Sequence, residues 1–198
     1  MSTRPSRRCA ACAARSSGAA GAGTRGTGWL GAEVVRRMLD DDASVTCLAR
    51  GSAEVPVGAR LVHADRALPG AYSALTGDWD HVVDLATDPA IVRPAVAALA
   101  ARAGHWSYVS TVSVYRDHAE AGQDEGAALL EAGPQGYGEQ KVASEEAVTE
   151  GLGSRALIVR PGLIVGPGIR ATGSVTGPPA SPAEAASWCR RRTGATPR

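Results

Sequence analysis

The strongest chemical signal in the sequence is a tyrosine and a lysine four residues apart, Tyr137 and Lys141. If this segment is helical, both side chains lie on one face and can reach the same substrate group. A phenol with a pKa of ~10 is a poor base at neutral pH, but a neighbouring ammonium stabilises the phenolate and lowers that pKa. Lys141 is also the only lysine in the chain. The pair therefore predicts a tyrosine acid/base assisted by a lysine, in preference to two solvated side chains.

Hydroxyl side chains precede this pair, in the β-branched segment from Tyr108 to Tyr115. Either Thr111 or Ser110 could hydrogen-bond the substrate oxygen on which the tyrosine acts. Ser113 is interpreted as an ordinary strand residue, without a role in the site. The segment predicts a third polar group for the same site.

A glycine-rich turn, Gly26-Thr27-Gly28-Trp29-Leu30-Gly31, opens the first predicted helix. Its glycines permit a tight turn and a close approach of the backbone to a pyrophosphate, next to the positive end of a helix dipole. The motif is weak by itself in a chain with 24 glycines. Its position before a helix and a following strand favours a dinucleotide-binding turn.

Alternating helices and strands are predicted to position these residues. Apolar residues at helical spacing predict helices over 29–40, 89–103 and 137–151. Short apolar runs predict strands over 44–49, 60–65, 80–86, 105–114 and 155–160. This alternation is typical of the α/β class, a doubly wound and mostly parallel sheet with helices on both faces.

Together these motifs resemble the extended short-chain dehydrogenase/reductase family, of the NAD-dependent epimerase/dehydratase type. The resemblance spans roughly residues 24–168 and includes the Arg160-Pro161-Gly162 and Gly166-Pro167-Gly168 segments. It implies a Rossmann fold, a nicotinamide cofactor and a small-molecule substrate such as a sugar nucleotide, and it leaves a homodimer open.

The resemblance also implies the roles of individual residues. Thr111 lies four residues before Tyr115, where the family has its catalytic Ser or Thr, so the implied catalytic residues are Thr111, Tyr137 and Lys141. No metal is implied. The implied cofactor-binding residues are Gly26, Gly28, Trp29, Leu30, Gly31, Arg50, Asp65, Leu85, Ala86 and Lys141.

Two positions depart from the family pattern at the cofactor end. Arg25 stands where the first glycine of the family's turn is expected. Arg50 follows the second strand in place of an acidic residue. An arginine there suits a ribose 2′-phosphate, so NADP is expected, with NAD as the alternative. The other interpretation of Arg50 is a solvated loop arginine.

The two ends of the chain differ in composition from its middle. Residues 1–32 carry five arginines and no acid, residues 33–168 carry a net charge of −8, and residues 169–198 one of +4. With few branched apolar residues at either end, this predicts low-complexity tails over 1–23 and 169–198 and a domain over 24–168. The near-zero total charge and the lack of a long apolar run argue against nucleic-acid and membrane partners.

The resemblance implies a first strand at about residues 18–24, but residues 13–24 contain no branched apolar residue. Cys9 and Cys12 are interpreted as chance occurrences in a segment without a strand, since no second ligand pair accompanies them. With no disulfide framework implied, a cytoplasmic location is expected. The last 30 residues resemble nothing in the family's substrate-binding part. The sequence therefore suggests an enzyme impaired by truncation or, alternatively, a non-catalytic cofactor-binding remnant or interaction fragment.

Overall fold

The computed structural model describes residues 8–12, 29–50, 55–119 and 121–166, and within 8–12 it describes the side chain of Cys9 only. Gly26, Gly28 and the predicted tail over 169–198 lie outside the described residues.

Among the residues that the structure describes, six parallel strands form a single sheet in the order β3-β2-β1-β4-β5-β6. Their bounds are β1 Arg8–Cys12, β2 Ser44–Ala49, β3 Arg60–His63, β4 Trp79–Asp84, β5 Ala103–Val109 and β6 Ala156–Val159. The strand order reverses between β1 and β4, which makes the carboxyl ends of these two strands a topological switch point. The predicted α/β fold with a doubly wound parallel sheet is confirmed.

Within the described ranges, three α-helices lie between strands: α1 Trp29–Asp40, α2 Pro89–Leu99 and α3 Tyr137–Leu152. The Asp88 side chain accepts the N–H of Ala90 at the start of α2, and a proline at the first helical position needs no hydrogen-bond acceptor. The α-helical part of α2 ends before the predicted residue 103, because its last turn tightens into a 3-10 helix over Ala100–Arg102.

Strand β1 contains Cys9 and Cys12, whose segment is interpreted from the sequence as having no strand, and that interpretation is wrong. Its backbone pairs with β2 on one side, where Cys9 is in register with Val45, and with β4 on the other, where Cys9 is in register with His81. Pairing on both sides is made by the peptide groups, so it overrides the low strand propensity of alanine. A central strand of the sheet therefore lies before residue 24 in the sequence.

Apolar side chains bury the two faces of the sheet under different helices. The larger cluster joins β4 and β5 to α2 and α3, through Val82, Trp106, Val92, Leu99 and Val148 among others. The smaller cluster lies beside α1 and includes Cys9, Val35, Val45 and Cys47. Helix α3 is thus fixed to the sheet by its apolar side, which determines where its polar residues lie.

No helix in the described ranges is both long and apolar enough to cross a bilayer.

Candidate functional site

Helix α3 begins beside the carboxyl end of β5, and a glycine makes this approach possible. A Cβ atom on Gly138 would lie 2.4 Å from the carbonyl oxygen of Ser113 and 2.6 Å from a methyl group of Leu130. Only a residue without a side chain lets the first turn of α3 come this close to the segment after β5. The contact brings the Tyr137 turn next to the hydroxyl residues.

Lys141 is almost fully buried, with 2% of its surface exposed. Its Nζ donates to the carbonyl oxygen of Ala86 at 2.9 Å and to that of Val109 at 2.6 Å. Ala86 lies just after β4 and Val109 is the last residue of β5. These two strands lie on one side of the switch point. An ammonium has three donors, so one N–H remains for a ligand or a neighbouring side chain.

The surroundings of Lys141 act on its charge in opposite directions. Burial lowers the pKa of Lys141 to about 8, while the carboxylates of Asp84 and Glu145 favour the ammonium and oppose that change. The ammonium also lies 4.7 Å from the centroid of the Tyr108 ring, a cation–π contact. Its charge is therefore sensitive to pH close to the neutral range.

Tyr137 is the first residue of α3 and is half exposed. It precedes Lys141 by four residues, so the two share one face of the helix. The phenol is open to solvent, whereas the ammonium is buried against the ends of β4 and β5. The helical spacing of the two residues is the one that the sequence predicts.

Thr111 and Ser113 are hydrogen-bonded to each other just after β5. The Thr111 Oγ1 accepts the N–H of Ser113 and donates to its Oγ, both at 3.2 Å. Ser113 lies in a 3-10 turn over Val112–Val114, so its interpretation as an ordinary strand residue is wrong. The threonine side chain caps this turn and ends the strand at Val109, earlier than predicted.

Ser110 differs from both of these residues. It is 4% exposed, and its Oγ is buried without a hydrogen-bond partner in the described part of the chain. A buried hydroxyl left unsatisfied costs free energy, about 1–3 kcal/mol. Ser110 directly follows Val109, whose carbonyl accepts from Lys141. Its hydroxyl is therefore a donor without a described partner, next in the sequence to a residue that holds Lys141.

The predicted cofactor residues fall into separate groups. Gly31 is buried in the first turn of α1, and Trp29 at the start of that helix packs so closely on Gly166 that a Cβ there would lie 2.6 Å from the indole. Arg50 and Asp65 meet in an ion pair at 3.8 Å, beyond β2 and β3. Leu85 and Ala86 follow β4 directly, and of these Ala86 binds Lys141.

A buried ion pair, which sequence reasoning missed, lies behind the site. The Arg66 guanidinium donates to both carboxylate oxygens of Asp84, at 2.9 and 2.5 Å, and both residues are buried. The available signal was an acid that directly follows two valines in a strand, since such an acid needs a buried cation.

A second ion pair, also missed, fixes α3 to the end of β6. Arg160 donates to Glu145 at 2.7 Å and to the hydroxyl of Tyr115 at 3.3 Å. The Glu145 carboxylate raises the pKa of the Arg160 guanidinium above its already high ordinary value. Glu145 lies one turn after Lys141, so this contact also fixes the rotation of the helix about its axis.

A family model described as the NAD dependent epimerase/dehydratase family matches residues 24–180. This is most of the chain, and it includes the glycine-rich segment before α1, the segment after β5 and the start of α3.

Solved structures of epimerases share the fold. A protein described as an epimerase from Burkholderia cenocepacia J2315 has a TM-score of 0.64 at 24% identity, over 84% of this chain and 57% of its own. A UDP-N-acetylglucosamine 4-epimerase from Methanobrevibacter ruminantium M1, in complex with UDP-N-acetylmuramic acid, has a TM-score of 0.61 at 16% identity, over 79% and 55%. For a UDP-glucuronic acid 4-epimerase from Bacillus cereus, in complex with NAD, the values are 0.56 and 15%, over 78% and 56%.

The chain thus spans little more than half the length of these solved proteins. No curated protein matches the sequence significantly.

Proposed function

Because the chain belongs to the NAD-dependent epimerase/dehydratase family, we propose that it is an oxidoreductase domain for a hydroxyl or carbonyl group of a sugar nucleotide or similar small substrate. The observation that carries this proposal is the buried Lys141 ammonium at the ends of β4 and β5, one helical turn after the accessible phenol of Tyr137.

The residues at this edge of the sheet fit a nicotinamide dinucleotide. The unpartnered hydroxyl of Ser110 and the remaining N–H of Lys141 are suitable donors to ribose hydroxyls. Gly31, buried in the first turn of α1, would let a pyrophosphate approach that helix end. When bound, the cofactor supplies hydride acceptance and return at its nicotinamide ring.

The chain's own residues would transfer the proton to and from the substrate. Tyr137 exchanges a proton between its hydroxyl and the substrate oxygen, and the Lys141 ammonium stabilises the phenolate that results. Thr111 hydrogen-bonds the same substrate oxygen. To do so it must turn its O–H away from the Ser113 Oγ, to which it donates without substrate.

A preference for NADP over NAD belongs to the same proposal. Arg50 follows β2, where a carboxylate would otherwise accept the ribose 2′-hydroxyl. Its ion pair with Asp65 is long and half exposed, so a 2′-phosphate can compete for the guanidinium. The Asp65 carboxylate would weaken the binding of that phosphate by repulsion.

Binding of the two reduced cofactors, followed by nicotinamide fluorescence, tests both points. We expect NADPH to bind more tightly than NADH. Arg50→Ala removes most of that difference and Asp65→Asn increases it, while the control Arg155→Ala, on a distant arginine, leaves the ratio unchanged. Tighter NADH binding by the native chain contradicts the preference, and binding of neither cofactor contradicts the proposed function.

A non-catalytic cofactor-binding domain is the second candidate. The observation in its favour is that the chain spans little more than half the length of the solved epimerases. The oxidoreductase domain is expected to turn over a substrate and the non-catalytic domain is not, whereas both are expected to bind the cofactor.

A further inference from the structure

The Arg66–Asp84 ion pair is buried in the fold behind the site. Asp84 is fully buried, and Arg66 donates to Tyr72 as well as to both carboxylate oxygens. Removing two charges from water largely offsets their attraction, so a buried ion pair is often no more stabilising than apolar side chains. The pair therefore calls for an explanation in the chemistry of its neighbours.

Asp84 is linked to Lys141 by the residue between them in space, Ala86. The Asp84 Oδ1 accepts the N–H of Ala86 at 2.9 Å, which forms a tight turn directly after β4. The carbonyl of Ala86 then accepts from Lys141 Nζ at 2.9 Å and from the Tyr108 hydroxyl at 2.8 Å. Ala86 is thus held at both its N–H and its C=O, and its carbonyl direction is fixed before any ligand binds.

We propose that Asp84 is a positioning residue for Lys141, which it holds through the Ala86 carbonyl and to which it presents a fixed negative charge. With the ammonium fixed on Ala86 and Val109, the direction of its third N–H is fixed as well. The catalytic meaning of this arrangement rests on the proposed function, but the arrangement itself does not.

Charged and titratable groups reach Lys141 from each packed element. From β4 comes Asp84 and from α3 comes Glu145, and both favour the ammonium against the effect of burial. From β5 comes Tyr108, whose pKa is raised by burial, so its hydroxyl stays protonated and keeps donating. Tyr137 lies one turn earlier on α3.

Each carboxylate is balanced by its own arginine. Arg66 balances Asp84, and Arg160 balances Glu145. A substitution in the Arg66–Asp84 pair can therefore change the charge near Lys141 in either direction, while the Arg160–Glu145 pair stays intact.

The single lysine makes a direct experiment possible. Protein labelled with [13Cε]lysine gives one side-chain signal, whose shift follows the protonation of Lys141 between pH 6 and 11. We expect Asp84→Asn to lower its titration midpoint by roughly 1 pH unit, because an anion is lost while an oxygen can still accept the Ala86 N–H. Arg66→Gln is expected to raise the midpoint, because a cation is lost and Asp84 is no longer neutralised.

Asp88→Asn is the matched control. It changes an aspartate four residues further on, keeps the cap of α2 and leaves the midpoint unchanged. Thermal unfolding of each variant shows which are folded, and if Asp84→Asn does not fold, Arg66→Gln alone decides. Opposite shifts in the two variants support the proposal, since a general loss of packing would move both midpoints in one direction. An unchanged midpoint in a folded variant overturns it.

NADPH affinity, measured on the same samples, separates this proposal from the proposed function. Shifted midpoints with weaker NADPH binding in Asp84→Asn support both. Shifted midpoints in a protein that does not bind NADPH or NADH support the positioning role and contradict the cofactor function.

Discussion

At the scale of single residues, the proposed function depends on the protonation of one ammonium. Lys141 is held by two backbone carbonyls, and burial lowers its pKa to about 8. In the proposed function, its neutral form would not favour the Tyr137 phenolate and, with fewer donors, would bind ribose hydroxyls more weakly. Small changes around this amine therefore affect function more than most changes on the surface would.

We predict that cofactor affinity and stability depend on pH in opposite ways above pH 8. Cofactor affinity falls as Lys141 loses its proton. The free energy of unfolding rises over the same range, because the folded chain gives up this proton before the unfolded chain does. The cost of burying the ammonium is present in full below pH 8 and is removed above the ordinary lysine pKa.

Fluorescence titrations with NADPH and urea unfolding between pH 7 and 10.5 measure the two quantities. Lys141→Met serves as the control, because its unfolding free energy should lack this rise. A cofactor affinity that stays constant through pH 9 contradicts a role for the ammonium in binding.

At the scale of elements, the close contact between α3 and the turn after β5 sets the geometry of the site. We predict that Gly138→Ala destabilises the fold by about 1–3 kcal/mol and weakens cofactor binding, because the new methyl overlaps the Ser113 carbonyl. Gly162→Ala is the matched control, since nothing lies within 4 Å of a Cβ there. Urea unfolding and NADPH titration of both variants measure the effects, and equal stabilities contradict this account of α3.

Strand β1 gives a second prediction at this scale. Its backbone is hydrogen-bonded to β2 and to β4, so its amides should exchange slowly with solvent although its residues have low strand propensity. Hydrogen exchange followed by mass spectrometry measures this on a peptide that covers residues 8–12, with the exposed turn at Gly122 as the fast-exchanging comparison. Fast exchange over residues 8–12 would contradict the central position of this strand.

At the scale of the whole molecule, the chain spans 57% of the first solved epimerase named above and 55% and 56% of the other two. Binding energy from the remote parts of a substrate contributes to catalysis, so a chain without the contacts for those parts loses kcat/KM. We predict that the 198-residue chain has little or no turnover on sugar nucleotides.

Grafting an in-family C-terminal part is expected to restore turnover. Tyr137→Phe in that chimera should then abolish turnover while cofactor affinity stays within about twofold, since the phenol is half exposed and its proposed role is with the substrate. Coupled spectrophotometric assays with UDP-sugars measure both results. Robust turnover by the chain alone refutes the argument from length, and a chimera indifferent to Tyr137→Phe refutes the catalytic role of this residue.

Local patterns in the sequence determined much of the architecture. The bounds of α1 and β2 are those predicted from apolar spacing, because that spacing is set within one or two turns or a few strand residues. The pairing of Tyr137 with Lys141 on one helix face follows from a four-residue separation alone. The same local reasoning failed for β1, where pairing with two neighbouring strands outweighs the propensity of its residues.

Only the tertiary structure decided what surrounds the reactive residues. Lys141 meets the carbonyls of Ala86 and Val109 across 55 and 32 residues of chain, and Arg66 meets Asp84 across 18. No local pattern records such contacts, because they arise when parallel strands bring their carboxyl ends to one edge of the sheet. The sequence by itself determined which groups could do the chemistry, and the packing of α3 on that edge decided which of them are buried, charged and held in place.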